Sequence, residues 1–430
     1  MKKREEITYL RGLAEQVRDI SRNPNHDRNR RRWAEHNSLR SKEPMLLVFP
    51  ECGWDELLTE ERFCCTDPDL RKLEFELLSR IYYAEHLHDD APIPDEIIVT
   101  KRIRPLDWGL NPRRIYSDQK KGAYEIEPVL VNAADAGKLR IPEVIYDEEA
   151  TLAAFTRIGE AVGDILPVRL KGEQSISFHF TAEYIDWRGL DTMLLDFYLE
   201  PELIHDVMQF LVEAYNSMLD AKLAQGLISY NSDGSYHSSG GNGFILEGLN
   251  AEAAVQGPYQ EYGARELSRQ QTEVDRKRMW GSAESQEMAV VGPQQHREFV
   301  MRYEAEVLKR FGLTGYGCCE DLSQKIDAIT ELVPNLRRIS ISPWADVQAC
   351  AEQLQGDCIF SWKPNPAHLV GTFNEEAIRA YIRKTLDITR KEGNVVEIIL
   401  KDTHTCEHHP ERFDNWIRIA REEINRSCSA

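Results

Sequence analysis

Short apolar runs alternate along this chain with longer stretches whose apolar residues recur at helical spacing. Met45–Phe49, bounded by Pro44 and Pro50, is the first such run, and Glu96–Arg102, rich in Ile and Val, is the second. From about residue 150 the alternation becomes regular. Ile176–Phe180, Leu227–Tyr230, Leu313–Cys318, Arg338–Ser342, Cys358–Trp362 and Val395–Leu400 read as strands. Brief, nearly continuous apolar runs between turn signals suit strands covered on both faces. Helices are expected between them. Pro201–Leu223 has helical periodicity, and Pro293 opens a helix with Phe299, Val300, Tyr303, Val307, Leu308 and Phe311 on one face, stopped by Gly312. Asn374 is placed to cap a helix with Glu375 and Glu376 in its first turn and Gly393 just past its end. Pro410 sits at a first helical position before Phe413, Trp416, Ile417 and Ala420. A long charged helix is expected over roughly 259–278.

Strands alternating with helices imply a parallel sheet, and about eight such strands favour a closed TIM (β/α)8 barrel over an open doubly wound sheet. The barrel is expected over 44–430. Residues 1–43, polar and arginine-rich, read as an N-terminal helical extension. Residues 103–150, punctuated by Pro112, Pro128 and Pro142 and holding Trp108, read as an irregular insertion capping one end.

Composition narrows the function. Apolar residues make up 42% and charged residues 29% of the 430, enough for a packed core. The formal net charge of -19 argues against a nucleic-acid partner, which needs a basic face. The run Arg28, Arg30, Arg31, Arg32 is the local exception, read as a solvated helical face or linker. No stretch has the length of apolar sequence a membrane span needs, and Met1–Glu6 has no apolar segment behind it. Nine cysteines, an odd number, look like thiols rather than a disulfide framework, so a cytoplasmic protein is expected. Neither G-x-G-x-x-G after a strand nor a P-loop is present.

In barrels of this kind the chemistry sits at the carboxyl ends of the strands. Tyr316-Gly317-Cys318-Cys319-Glu320-Asp321 closes one strand; adjacent side chains on a strand face opposite ways, so one thiol should face the lumen unless the strand has ended. Lys401-Asp402-Thr403-His404-Thr405-Cys406-Glu407-His408-His409 closes the last strand and offers soft donors, although His408 and His409 also suit capping of the helix at Pro410. Cys318 or Cys319 with Cys406 and a nearby Glu or His would leave a zinc ion one open position, as catalytic sites do. The metal set is therefore Cys318, Cys319, Glu320 and Cys406, with Glu320, Asp402 and His404 as catalytic candidates. Phe178, Trp187, Tyr230, Tyr236, Trp280, Trp344 and Trp362 would line an apolar or cation-binding pocket, or serve as ordinary core and rim aromatics. Of these and their polar neighbours, His179, Tyr230, Asn231, His237, Trp280, Glu284, Trp344 and Lys363 are the substrate-binding candidates, beside Asp233.

The stretch Asp186-Trp187-Arg188-Gly189-Leu190-Asp191 through Pro201-Glu202-Leu203-Ile204-His205, and the segment Pro293 to Glu320, resemble the uroporphyrinogen decarboxylase-like superfamily. The resemblance covers roughly residues 150–430. True decarboxylases of that superfamily carry an arginine-rich amino-terminal motif. Here the corresponding stretch, Leu47-Val48-Phe49-Pro50-Glu51-Cys52-Gly53-Trp54, has no arginine. The resemblance is nearer the zinc-dependent methyltransferase branch, which uses H-x-C at one strand end and a second Cys before a "P-E" helix. Cys406 followed by Pro410-Glu411 matches the second, Cys318 matches the first, and Tyr316 stands where that family has His. The resemblance implies methyl transfer between a small methylated substrate, a methoxylated or quaternary ammonium compound, and a corrinoid protein or thiol acceptor. Zinc would be the metal, the corrinoid would be carried by a partner protein, and a homodimer is a further expectation. A decarboxylase or lyase acting on a small organic acid or tetrapyrrole, and a non-catalytic metal- or ligand-binding barrel, are the alternatives.

Overall fold

The computed structural model describes residues 3–117, 124–237, 240–246 and 274–429. The apolar runs form β1 (Met45–Val48), β2 (Ile97–Thr100), β6 (Ser177–Phe178), β8 (Leu313–Tyr316), β9 (Leu336–Ile341), β10 (Ile359–Trp362) and β11 (Val395–Leu400). To these are added β3 (Arg113–Tyr116), β4 (Tyr124–Glu127), β5 (Val168–Lys171) and β7 (Trp280–Ala283), which the sequence did not signal. Seven strands make one sheet in the order β1-β11-β10-β9-β8-β7-β6, with every neighbouring pair parallel. β2 and β5 form a separate parallel pair, and β3 and β4 an antiparallel hairpin. Among the described residues the ladders form an open arc rather than a closed ring.

Burial explains the apolar runs. Every residue of β1, β7, β10 and β11 is buried, because helices cover the outer face and the sheet curves over the inner one. The capping signals hold. Asn374 Oδ1 accepts the Ala377 N–H at 3.0 Å and opens Glu375–Lys391, and Gly393 at φ 75° follows it. Phe413, Trp416, Ile417 and Ala420 are buried along Glu411–Ser429. Pro201–Ala224 and Pro293–Leu308 are helical, the second with a wider turn at Arg297–Met301.

Several expectations change. Of Ile176–Phe180 only Ser177 and Phe178 pair with β7, because Phe180 already begins the helix Phe180–Arg188. Among the described residues Leu227–Tyr230 joins no ladder beyond one parallel bridge, Glu173 to Ile228. The Asn231 side chain stands in for the missing pairing: it donates to Gln174 O and Trp280 O at 3.0 and 2.9 Å and accepts the Trp280 N–H at 3.0 Å. The helix expected at 259–278 lies mostly outside the described residues, and its end is a single turn at Arg276–Arg278. The 103–150 segment holds the β3–β4 hairpin and a short helix, Ala133–Ala136. It leans on the helix ending at Arg188, whose guanidinium donates to Leu130 O and Val131 O at 2.9 and 2.5 Å.

The edge strand β1 carries its own protection. Asp90 Oδ2 accepts the Leu46 N–H at 2.8 Å, Asp89 Oδ2 accepts the Val48 N–H at 3.0 Å, and Asp90 N–H returns to Leu46 O at 2.9 Å. Side-chain carboxylates occupy donors that would otherwise invite another strand.

The N-terminal extension is helical, Lys3–Ser21 and Asn25–Asn37, and the second helix supports the inner face of the sheet at its amino end. Glu397, alone among the apolar residues of β11, lies there fully buried. It accepts from Ser361 Oγ at 2.5 Å and Arg338 Nη2 at 3.1 Å, with His36 Nε2 at 3.4 Å. Asn37 Oδ1 takes another Arg338 N–H at 2.8 Å. The backbone at Gly241 meets the same cluster: a Cβ there would stand 2.4 Å from Glu397 Oε2, so the chain approaches where only glycine fits.

Candidate functional site

The carboxyl ends of β8 and β11 bring two sulfurs, a cation and a carboxylate together. Cys318 Sγ and Cys319 Sγ are 3.4 Å apart; Lys401 Nζ is 3.9 Å from Cys318 Sγ, and Asp402 Oδ2 is 3.4 Å from Cys319 Sγ. The local chain explains why adjacent thiols converge. Gly317, at φ 92°, ends the strand, so the alternation of faces no longer applies. Any Cβ there would meet Leu322 Cδ1 at 2.5 Å. Glu320 Oε2 accepts the Cys318 N–H at 2.8 Å and Ser340 Oγ donates to Cys318 O at 2.7 Å, pinning the turn.

The electrostatics follow from burial and neighbours. Lys401 is held more firmly protonated than a free lysine: burial opposes the charge, but Cys318, Tyr236 and Asp402 favour it. Lys363, at the end of β10, is pushed down to about 7 by burial, with Glu397 opposing. Its Nζ donates to Ser361 O at 3.0 Å and Ser361 Oγ at 2.6 Å. Cys319 is raised by its contact with Cys318 and by burial. His179, in front of the helix Phe180–Arg188, pairs through Nδ1 with Glu284 at the end of β7 and is raised, since that carboxylate outweighs desolvation.

The remaining predicted residues are dispersed. Tyr230 lies at the amino end of the sheet, beside a cavity of about 1000 Å³ lined by Arg276, Lys277, Lys309, Arg310 and Gly312; its hydroxyl accepts the Asp275 N–H at 2.9 Å. Asn231 is the structural bridge already described. His237 is buried and pushed down to about 3, chiefly by desolvation; its ring stacks on Trp280 with centroids 5.2 Å apart. Trp280 is buried below the Arg338 guanidinium, 4.4 Å from its ring. Trp187 is a buried helix residue, whereas Trp344 is 68% exposed. His404 is exposed. Tyr316, at the position of the resembled family's His, turns to the helix layer. Its hydroxyl donates to Glu304 Oε2 at 2.7 Å, with His296 Nε2 at 3.1 Å.

The zinc set does not assemble. Cys406 is buried against Glu56: its thiol donates to Glu56 Oε2 at 3.1 Å, and the backbone N–H groups of Cys406 and His408 reach the same oxygen at 3.0 and 2.8 Å. Burial and Glu56 push the Cys406 thiol up to about 11. Glu320 is spent on the Cys318 N–H, and its other oxygen has no hydrogen-bond partner among the described residues. Among the described residues no group of three or more His, Cys, Asp or Glu side chains is arranged to hold a metal ion. A zinc ion held jointly by Cys318, Cys319, Glu320 and Cys406 does not fit this arrangement.

Glu56 is a residue that sequence reading missed. Burial opposes its ionisation, but donors from Thr405, His408 and Cys406 hold its carboxyl at about 2. A carboxyl depressed from 4.5 contributes stability above its unfolded value that is lost as pH falls toward 2. Glu56→Gln should therefore loosen the 401–409 loop and flatten the acid limb of the stability–pH curve between about 4.5 and 2, read by urea midpoints. A wild-type acid limb would refute that role.

Glu304 behaves oppositely. It is fully buried with Ser285 Oγ donating at 2.6 Å, and burial raises it to about 8. Its contribution is complete below the unfolded value and is lost as pH rises through about 8. Glu304→Gln should remove a fall in urea midpoint between pH 5 and roughly 8.5, and an unchanged slope would exclude Glu304 as its source.

Neither a family model nor a curated protein matches the chain. No helix among the described residues is long and apolar enough to cross a membrane.

Proposed function

We propose that the chain is an enzyme of the (β/α)8-barrel class that moves a methyl group from a small methylated organic substrate to a thiol acceptor, with Cys318 as the working sulfur. The carrying observation is the Lys401 ammonium 3.9 Å from Cys318 Sγ at the strand ends. A cation facing a thiol favours its thiolate, the form that accepts an alkyl group. Asp402, beside Cys319, is positioned to take the second thiol's proton. The His179–Glu284 pair supplies a protonatable group at the end of β7, suited to the leaving atom of the substrate. The barrel reading rests on the eight longer parallel strands: six in the main sheet plus β2 and β5, with Asn231 joining the two sets. No step is assigned to zinc, because its proposed ligands do not converge, and a corrinoid protein remains the alternative methyl acceptor.

A second reading, a decarboxylase or lyase acting on a small organic acid, draws on the two lysines, Lys363 and Lys401, at neighbouring strand ends. The two separate in one assay. The protein is incubated with methoxylated benzoic acids and N-methylated amino acids, which carry both a methyl group and a carboxylate, with a thiol or reduced corrinoid as acceptor, and demethylated product and released carbon dioxide are both followed. Demethylated product supports methyl transfer; carbon dioxide without demethylation supports the lyase; neither product across the panel overturns both.

A further inference from the structure

Two neighbouring residues rarely present their sulfurs to one point, because an extended chain sends them to opposite faces. The turn at Gly317 removes that obstacle and leaves Cys318 and Cys319 half-buried, with sulfurs 3.4 Å apart. That separation suits two bonds to one soft atom. Thiolates prefer soft centres, and a pair already held at chelating distance pays little further ordering cost on capture. The pinned backbone, through Glu320 to Cys318 N–H and Ser340 to Cys318 O, keeps it so.

We propose that Cys318 and Cys319 form a bidentate site for a trivalent, singly substituted arsenical. The step balances without any change of oxidation state. An arsenic oxide R–As=O meets two thiols; two As–S bonds form, two S–H bonds and the arsenic–oxygen bonds break, and the oxygen leaves as water with both thiol protons. Asp402, 3.4 Å from Cys319 Sγ, relays one proton, and Lys401, 3.9 Å from Cys318 Sγ, steadies the thiolate formed at the other sulfur. The chain contains a second adjacent pair, Cys64 and Cys65, which serves as an internal comparison. There the Cys65 thiol is buried and pushed up to about 12 by desolvation and by Glu74, which also accepts both backbone N–H groups, at 2.6 and 2.9 Å. In that pair one sulfur is buried, whereas both sulfurs of Cys318 and Cys319 are half-buried.

The inference uses the same thiols as the methyl-transfer reading but does not depend on it, since binding is measured without substrate. The protein is titrated with phenylarsine oxide, followed by intact mass and by loss of thiols titratable with a disulfide reagent. One equivalent should bind and protect two thiols, resist excess 2-mercaptoethanol, and be released by 2,3-dimercaptopropanol. Cys318→Ser and Cys319→Ser should each lose that dithiol-specific binding at least tenfold, while the double variant Cys64→Ser/Cys65→Ser retains it. Binding in wild type that a monothiol reverses, or undiminished binding in Cys318→Ser, overturns the proposal. Two protected thiols in unaltered protein, together with retained capture in Cys64→Ser/Cys65→Ser, assign the site to the other adjacent pair even where Cys318→Ser or Cys319→Ser folds poorly. Arsenical capture without methyl transfer would sink only the earlier reading, and methyl transfer without capture only this one.

Discussion

Replacing Cys318 by serine lowers methyl transfer by at least about 10⁴-fold if its sulfur is the group attacked or attacking, the scale of loss when an enzyme's nucleophile is removed. A hydroxyl beside Lys401 is a far weaker nucleophile than a thiolate, and no other sulfur takes its place. Cys319 is raised by its neighbour and lies toward Asp402, and Cys406 is buried against Glu56. The variant should keep its thermal midpoint, because Cys318 is held mainly through its backbone N–H and C=O. Lys401→Met should produce a smaller loss and shift the pH–rate profile upward, since the thiolate loses its facing cation while the sulfur remains. Full activity of Cys318→Ser would remove the mechanism, and loss of activity together with the fold would leave Lys401→Met to decide.

The largest effect on stability is expected at Arg338. Its guanidinium is 2% exposed and faces Glu397, which is wholly buried. Burial opposes the Glu397 charge, but Arg338 and His36 hold its carboxyl at about 2. Arg338→Met removes the main cation and strands that carboxylate, costing roughly 3–5 kcal/mol by the usual penalty for breaking a buried pair. The double variant Arg338→Met/Glu397→Leu should recover most of that loss, because no charge is then left unpaired. Urea unfolding of the single and double variants measures both. A loss below about 1 kcal/mol in Arg338→Met would mean that water reaches Glu397, as exposed pairs are worth no more than that.

The same residues show what sequence reading can and cannot reach. Glu397 is the lone acid of the apolar run Val395–Leu400, and neither its burial nor its partners follow from that position. They come from residues 36, 338 and 361, on three separate elements. Lys401 stood inside a run singled out for its thiol and imidazoles, yet a lysine at a strand end resembles any solvated charge. Only its 3.9 Å approach to Cys318 gives it a role. Cys406 shows the opposite error. Its place before Pro410 and Glu411 matched a motif, whereas a carboxylate from residue 56, some 350 positions away, holds it.

Periodicity, capping residues and turn glycines by themselves determined the helices Pro201–Ala224, Glu375–Lys391 and Glu411–Ser429, the strands β1, β2, β8, β9, β10 and β11 and the thiol-bearing strand end, because those signals act within a few residues of one another. The convergence of Cys318 with Cys319, their meeting with Lys401 and Asp402, and the withdrawal of Cys406 to Glu56 were decided by tertiary structure alone. Side chains on different strands meet only once the sheet has set its register, and no local pattern encodes that distance.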